Sequence, residues 1–157
     1  MRGLVRVGAA VPSLALGNVK ENMKRHLAMM REAKEKHVSI VTFPELSLTG
    51  YTCGDLFFQR RLLDDVTDAL LALKDEMPEG ILAVVGAPLE IEDALYNCAV
   101  VLHKGEIISA VPKTFLPNNG EFYEKRWFQS GDARRDASVA IPKLKTDVCR
   151  QAIFETE

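Results

Sequence analysis

Val38-Ser39-Ile40-Val41-Thr42-Phe43-Pro44-Glu45-Leu46-Ser47-Leu48-Thr49-Gly50-Tyr51 reads as a strand that meets a proline and then presents a carboxylate. Ser39 and Thr42 interrupt an otherwise apolar run, the pattern of a strand covered on both faces. Pro44 has no N–H to donate, so the sheet ladder should end there. Glu45 then emerges at the carboxyl end of a strand, where open α/β sheets place their ligands. A loop glutamate is ordinarily just solvated. The rest of the chain has to decide between the two.

Upstream, residues 4–11 read as a strand ended by Pro12. Asn18 with Glu21 three residues on has the form of an N-cap with a capping box. Val19, Met23, Leu27, Met30 and Ala33 then make a helical stripe, and Lys34, Lys36 and His37 suit the negative end of the helix dipole. Strand, helix, strand is a βαβ unit with a right-handed crossover. Downstream, a second helix over residues 59–77 carries Leu62, Leu63, Val66, Leu70, Leu73 and Met77 on one face and stops at Pro78-Glu79-Gly80. Residues 81–87 form a wholly apolar, central strand, and residues 88–93 a turn or loop. Residues 95–102 and 107–111 pair as a hairpin across His103-Lys104-Gly105-Glu106. Residues 139–141 read as a short strand, and the chain beyond is weakly patterned. There is no internal repeat. Pattern alone supports a mixed α/β domain, a sheet with helices packed on it.

The chain has 157 residues, enough for one domain with a sizeable core. Its net charge of −2 gives no electrostatic case for nucleic acid or an anionic membrane. No apolar run approaches the ~20 residues that span a bilayer. Cys53, Cys98 and Cys149 are odd in number and lack a CxxC pair, which speaks against a disulfide framework and a structural zinc site. The expected location is the reducing cytoplasm.

Pro112-Lys113 repeats the logic of Pro44-Glu45, a strand ending in a proline and then an ionisable group. If the two ends meet, the carboxylate can act as a general base and the ammonium can stabilise an oxyanion. Unrelated surface charges are the ordinary fate of such a pair. His26, His37 and His103 share no metal-like spacing. Cys98 reads as a buried small hydrophobe; Cys53 lacks a positioned base; Cys149 lies beside Lys145 and Arg150 and reads as an incidental thiol. No phosphate-binding glycine motif occurs, so no nucleotide site is visible.

Phe43-Pro44-Glu45-Leu46-Ser47-Leu48-Thr49-Gly50-Tyr51 with Asp55-Leu56-Phe57 resembles the first catalytic motif of the nitrilase (carbon–nitrogen hydrolase) superfamily. Pro112-Lys113-Thr114-Phe115-Leu116-Pro117-Asn118 with Glu121-Phe122-Tyr123-Glu124-Lys125-Arg126-Trp127-Phe128 and Gly131 resembles its second. The wording is nearest the N-terminal glutaminase domains of glutamine-dependent NAD synthetases. The resemblance covers residues 3–132 and implies a four-layer α-β-β-α sandwich, here a single domain over residues 1–157 and incomplete on its C-terminal side. It implies Glu45 as general base and Lys113 as oxyanion stabiliser of a Glu–Lys–Cys triad. It places the second glutamate at Glu121, with Glu124 as the alternative. Asn119, standing where a tyrosine is common, and Phe122 are implied to line the substrate pocket.

The implied substrate is glutamine, hydrolysed to ammonia without a cofactor or metal in this domain. ATP, Mg and deamido-NAD belong to a C-terminal synthetase domain, for which these residues offer no counterpart. Homo-oligomers are also implied. The family nucleophile sits in a Cys-Glu-Asp sequence, whereas Cys149 is followed by Arg150-Gln151. The chain is therefore expected to be an inactive part of a longer enzyme. The alternatives are a stand-alone amidase of the superfamily and a non-catalytic fold or assembly module.

Overall fold

Asn18 opens the first helix, its side-chain oxygen accepting the Glu21 backbone N–H at 3.2 Å. This is seen in a computed structural model that describes residues 4–133, 138–141, 144 and 146–149. The reciprocal half of the capping box is replaced, because the Glu21 carboxylate takes Arg25 Nε at 3.1 Å instead. Helix α1 spans Val19–Glu35. Its buried stripe holds Val19, Leu27, Met30 and Ala33, as the spacing implies, but also Asn22 and His26. Asn22 is tolerated there because every polar atom of its amide is used. Nδ2 donates to the carbonyls of Ala15 and Leu48, and Oδ1 accepts the Ala15 N–H. It thereby ties the loops that flank the first two strands onto the helix. Helix α2, Arg60–Glu76, buries Leu62, Val66, Ala69, Leu70 and Leu73.

The strands are β1 (Val7–Ala9), β2 (Ile40–Thr42), β3 (Leu82–Ile91), β4 (Ala94–His103), β5 (Glu106–Pro112), β6 (Ser138–Ile141) and β7 (Thr146–Cys149). They form one sheet in the order β1-β2-β3-β4-β5-β7-β6. β1, β2 and β3 are parallel, β3, β4 and β5 form an antiparallel meander, and β7 returns parallel to β5. The βαβ opening and the β4–β5 hairpin match the sequence reading. Residues 88–93 do not: β3 continues through Pro88 to Ile91, and only residues 92–93 turn. The reason is positional. The carbonyls of Val84 and Gly86 accept from Phe43 and Leu48, so alternate residues of β3 point away from β4. Pro88 shares that parity, and its missing N–H costs β3 no bond to β4. Glu92, at φ 55°, makes the tight turn.

Both helices lie on one face, where Val41, Ala83, Val85, Val100 and Leu102 join their apolar stripes in a single core. The other face, carrying Thr42, Val84, Gly86 and Ala99, has no helix among the described residues, and Thr42 and Ala99 are exposed. Strand β2 is therefore covered on one face, not on both as its apolar run suggested. The described residues supply one sheet and one helical layer of an α-β-β-α sandwich.

Because β2, β3 and β5 run the same way, the segments after β2 and after β5 leave from one end of the sheet. Three strand spacings separate them, roughly 14 Å. The chain after β2 crosses that gap by folding over Gly86, where a Cβ would stand 2.4 Å from both the Pro44 carbonyl and the Leu46 nitrogen. Only a residue without a side chain lets the turn lie this low. The Leu48 N–H then bonds the Gly86 carbonyl at 3.1 Å and fixes it.

Candidate active site

The turn over Gly86 delivers Glu45 to the lysine that follows β5. Lys113 Nζ lies 2.7 Å from Glu45 Oε1 and 2.9 Å from Glu124 Oε1. Leu46, next to Glu45, sits at φ 51°, a strained conformation for a leucine, and is held there by complete burial. Behind the turn, His26 Nδ1 donates to the Asn22 carbonyl at 2.7 Å, which leaves Nε2 to accept from the Ser47 hydroxyl at 2.8 Å. Burial keeps the His26 pKa below its ordinary value.

Lys113 is held by its backbone as well. Its N–H donates to the Asn97 carbonyl at 2.8 Å, and its own carbonyl accepts from Gly131 at 2.9 Å. Burial alone would depress the lysine pKa, but the carboxylates of Glu45 and Glu124 outweigh it and raise it. The ammonium is thus held in its charged form.

Glu124 is 1 % exposed. Its Oε1 also accepts the Tyr51 hydroxyl at 2.6 Å, while Oε2 is buried without a hydrogen-bond partner among the described residues. Burial and the neighbouring carboxylate push the Tyr51 pKa up, so Tyr51 remains a phenol donor. The turn carrying Glu124 is clipped to the segment after Glu45. Asp55 takes Arg126 through both oxygens, at 2.7 and 2.8 Å, and Trp127 Nε1 at 2.9 Å. Arg126 and Trp127 together hold the Asp55 pKa well below the usual carboxylate range.

Asn97, on β4, completes the group. Its Nδ2 lies 2.6 Å from Glu45 Oε1, and the residue is 3 % exposed. A cavity of about 390 Å³ opens here, lined by Thr42, Glu45, Val84, Asn97, Val111 and Lys113 among others. Among the described residues no cluster of three or more His, Cys, Asp and Glu is arranged to hold a metal ion.

The structure brings Glu45 and Lys113 together, as their motifs imply. It does not bring Glu121, which is exposed on a turn. The carboxylate that reaches Lys113 beside Glu45 is that of Glu124, because the short 3-10 turn Glu124–Arg126 points it inward beneath Tyr51. Asn119 is exposed, and its carbonyl accepts the Phe122 N–H at 3.1 Å. Phe122 packs edge-on against Tyr51, ring centroids 6.3 Å apart, and so borders the site through that tyrosine. Asn97 escaped the sequence reading; an amide inside the otherwise apolar β4 was its one signal.

Among the described residues, Cys53, Cys98 and Cys149 form no disulfide. Cys53 is buried, donates to the Thr49 carbonyl at 3.2 Å, and has its pKa raised by that burial. Cys98 is buried on the helix side of β4, since its neighbour Asn97 faces Glu45. Cys149 ends β7, with Val148 across from Ala110 of β5.

Residues 6–156 match the carbon-nitrogen hydrolase family. The chain is 41% identical over 134 residues to a glutamine-dependent NAD(+) synthetase of Mycobacterium tuberculosis, covering 85% of this chain and 20% of that protein. It is 33% identical over 138 residues to one of Aquifex aeolicus, covering 87% of this chain and 24% of the relative. It thus spans about a fifth to a quarter of the length of these curated relatives. Among solved structures, a glutamine-dependent NAD(+) synthetase from Cytophaga hutchinsonii superposes with a TM-score of 0.87 at 26% identity, over 98% of this chain and 26% of its own. An amidase from Nesterenkonia sp. shares the fold, with a TM-score of 0.69 at 18% identity over 87% of this chain and 51% of its own.

Proposed function

The chain belongs to the carbon–nitrogen hydrolase family, and we propose that it carries the base and the oxyanion-stabilising lysine of a glutamine amidohydrolase site that releases ammonia. One observation carries this reading. Glu45 and Lys113 follow different strands, 68 residues apart in sequence, and meet at 2.7 Å beside a cavity. Relatives of 33–41% identity named glutamine-dependent NAD(+) synthetases support glutamine as the amide.

Glu45 is the general base and Lys113 the cation that faces the oxyanion. The ammonium has three donors, of which two go to Glu45 and Glu124. The third suits a carbonyl oxygen that gains negative charge as a thiolate adds to the amide carbon. Ammonia leaves, and water then hydrolyses the thioester. The attacking thiol is assigned to none of the chain's three cysteines, since Cys53 and Cys98 are buried and Cys149 is followed by Arg150-Gln151. Glu124 holds the lysine between two carboxylates, and Phe122 packs edge-on against Tyr51, the phenol that donates to Glu124. The ammonia would feed an ATP- and Mg-dependent amidation of deamido-NAD at a synthetase domain.

The test is ammonia release by the protein at its full natural length, offered glutamine, asparagine and simple aliphatic amides. Release from glutamine in clear preference to the others supports the reading. Release from aliphatic amides alone points to a stand-alone amidase, and release from none contradicts both.

A further inference from the structure

Both hydrogen bonds that reach the Glu45 carboxylate among the described residues fall on one oxygen. Lys113 Nζ donates to Oε1 at 2.7 Å and Asn97 Nδ2 donates to the same Oε1 at 2.6 Å. We propose that Asn97 is a positioning residue that pins Glu45 Oε1 together with Lys113, so that Oε2 is the oxygen that takes and returns the proton. The proposal rests on the reading of Glu45 as general base.

A carboxylate can only accept, so the amide face turned to Glu45 must be the NH2 group, a strong charge-assisted donor. Asn97 is 3 % exposed on a strand whose neighbours are apolar, and there an amide is costly unless its donors are used. Its backbone serves the same pair, because the Asn97 carbonyl accepts the Lys113 N–H at 2.8 Å. One residue of β4 therefore sets both the side chain of Glu45 and the main chain of Lys113, across the gap between β2 and β5. The fixed end of the carboxylate leaves Oε2 with its lone pairs uncommitted. As the S–C bond forms, Oε2 takes the thiol proton and the carbonyl oxygen becomes the oxyanion. As the C–N bond breaks, the proton passes from Oε2 to the amide nitrogen and ammonia leaves.

Four side chains surround the Glu45 carboxylate or its partner: Asn97 from β4, Lys113 from the end of β5, Tyr51 from the turn after Glu45, and Glu124 from its 3-10 turn. Asn97→Asp keeps the shape and replaces the donor with a second carboxylate; Asn97→Ala removes the group. Glutamine hydrolysis is followed in the full-length protein, with melting temperature as a check on folding. A lost hydrogen bond to a charged group predicts kcat lower by roughly 10- to 100-fold in Asn97→Asp at neutral pH. KM should change by less than about threefold, because substrate binding is not what Asn97 provides. Relative to wild type, Asn97→Asp should recover as pH falls, where the introduced carboxyl gains an O–H to donate, while Asn97→Ala should not.

Wild-type kcat in both variants, with Glu45→Gln inactive, overturns the role of Asn97. A loss in Asn97→Asp that is the same at every pH, or that resides in KM, overturns it too. Activity that survives Glu45→Gln overturns the reading of the base itself, and the role of Asn97 with it.

Discussion

Gly86 lies so close beneath Pro44 that a Cβ on it would stand 2.4 Å from the Pro44 carbonyl oxygen. The contact is backbone against backbone, so no side chain can swing aside to relieve it. Gly86→Ala should lift the turn and move Glu45 away from Lys113. The expected cost is about 1–3 kcal/mol of stability, the range for overpacking a tight site. Ammonia release should fall by far more than the melting temperature implies. Denaturant unfolding and activity on the same preparation check both.

Glu124→Ala should destabilise the protein by about 3 kcal/mol, the lower end for breaking a buried ion pair. The lower end applies because Lys113 keeps Glu45, and its side chain is 27% exposed. Tyr51 also loses its acceptor. The shift in the urea midpoint measures this. Glu121→Ala, at an exposed position, should change the stability by less than about 0.5 kcal/mol.

Asn22→Ala should cost about 2–4 kcal/mol, since it strands the Ala15 amide and the carbonyls of Ala15 and Leu48. The Leu48 carbonyl belongs to the segment that seats Glu45, so hydrogen exchange should speed up there as well as at the start of α1.

His26 has a lowered pKa in the folded chain. Between that value and the unfolded value of about 6.5, the unfolded chain binds more protons, so stability rises with pH. The contribution is complete above about pH 6.5 and is lost as pH falls through the folded value. His26→Phe should be less stable at neutral pH, because Ser47 loses a partner, but should lose this part of the pH dependence. Melting temperatures recorded from pH 7.5 down to 4.5 compare the two.

What was legible in the sequence follows from which interactions are local. The helices announced themselves through the stripes of Leu27, Met30, Leu62, Val66 and Leu70, and the strand ends through Pro44 and Pro112. Long-range features did not. The continuation of β3 past Pro88 depends on which neighbour each residue faces, which one strand's sequence does not encode. Asn22 and His26 look like interruptions of an apolar face until the loops they bond are in place. Glu121 and Glu124 stand three residues apart, and only the 3-10 turn beneath Tyr51 brings Glu124 to Lys113. The role of Gly86 depends on a turn some forty residues earlier in the chain.

The most direct test is ammonia release from glutamine by the full-length protein, comparing wild type with Glu45→Gln and Lys113→Ala. If Glu45 is the base and Lys113 faces the oxyanion, kcat falls by roughly 10²- to 10⁴-fold in each, with the melting temperature of Glu45→Gln close to that of wild type. Turnover within a fewfold of wild type in either variant contradicts the assignment.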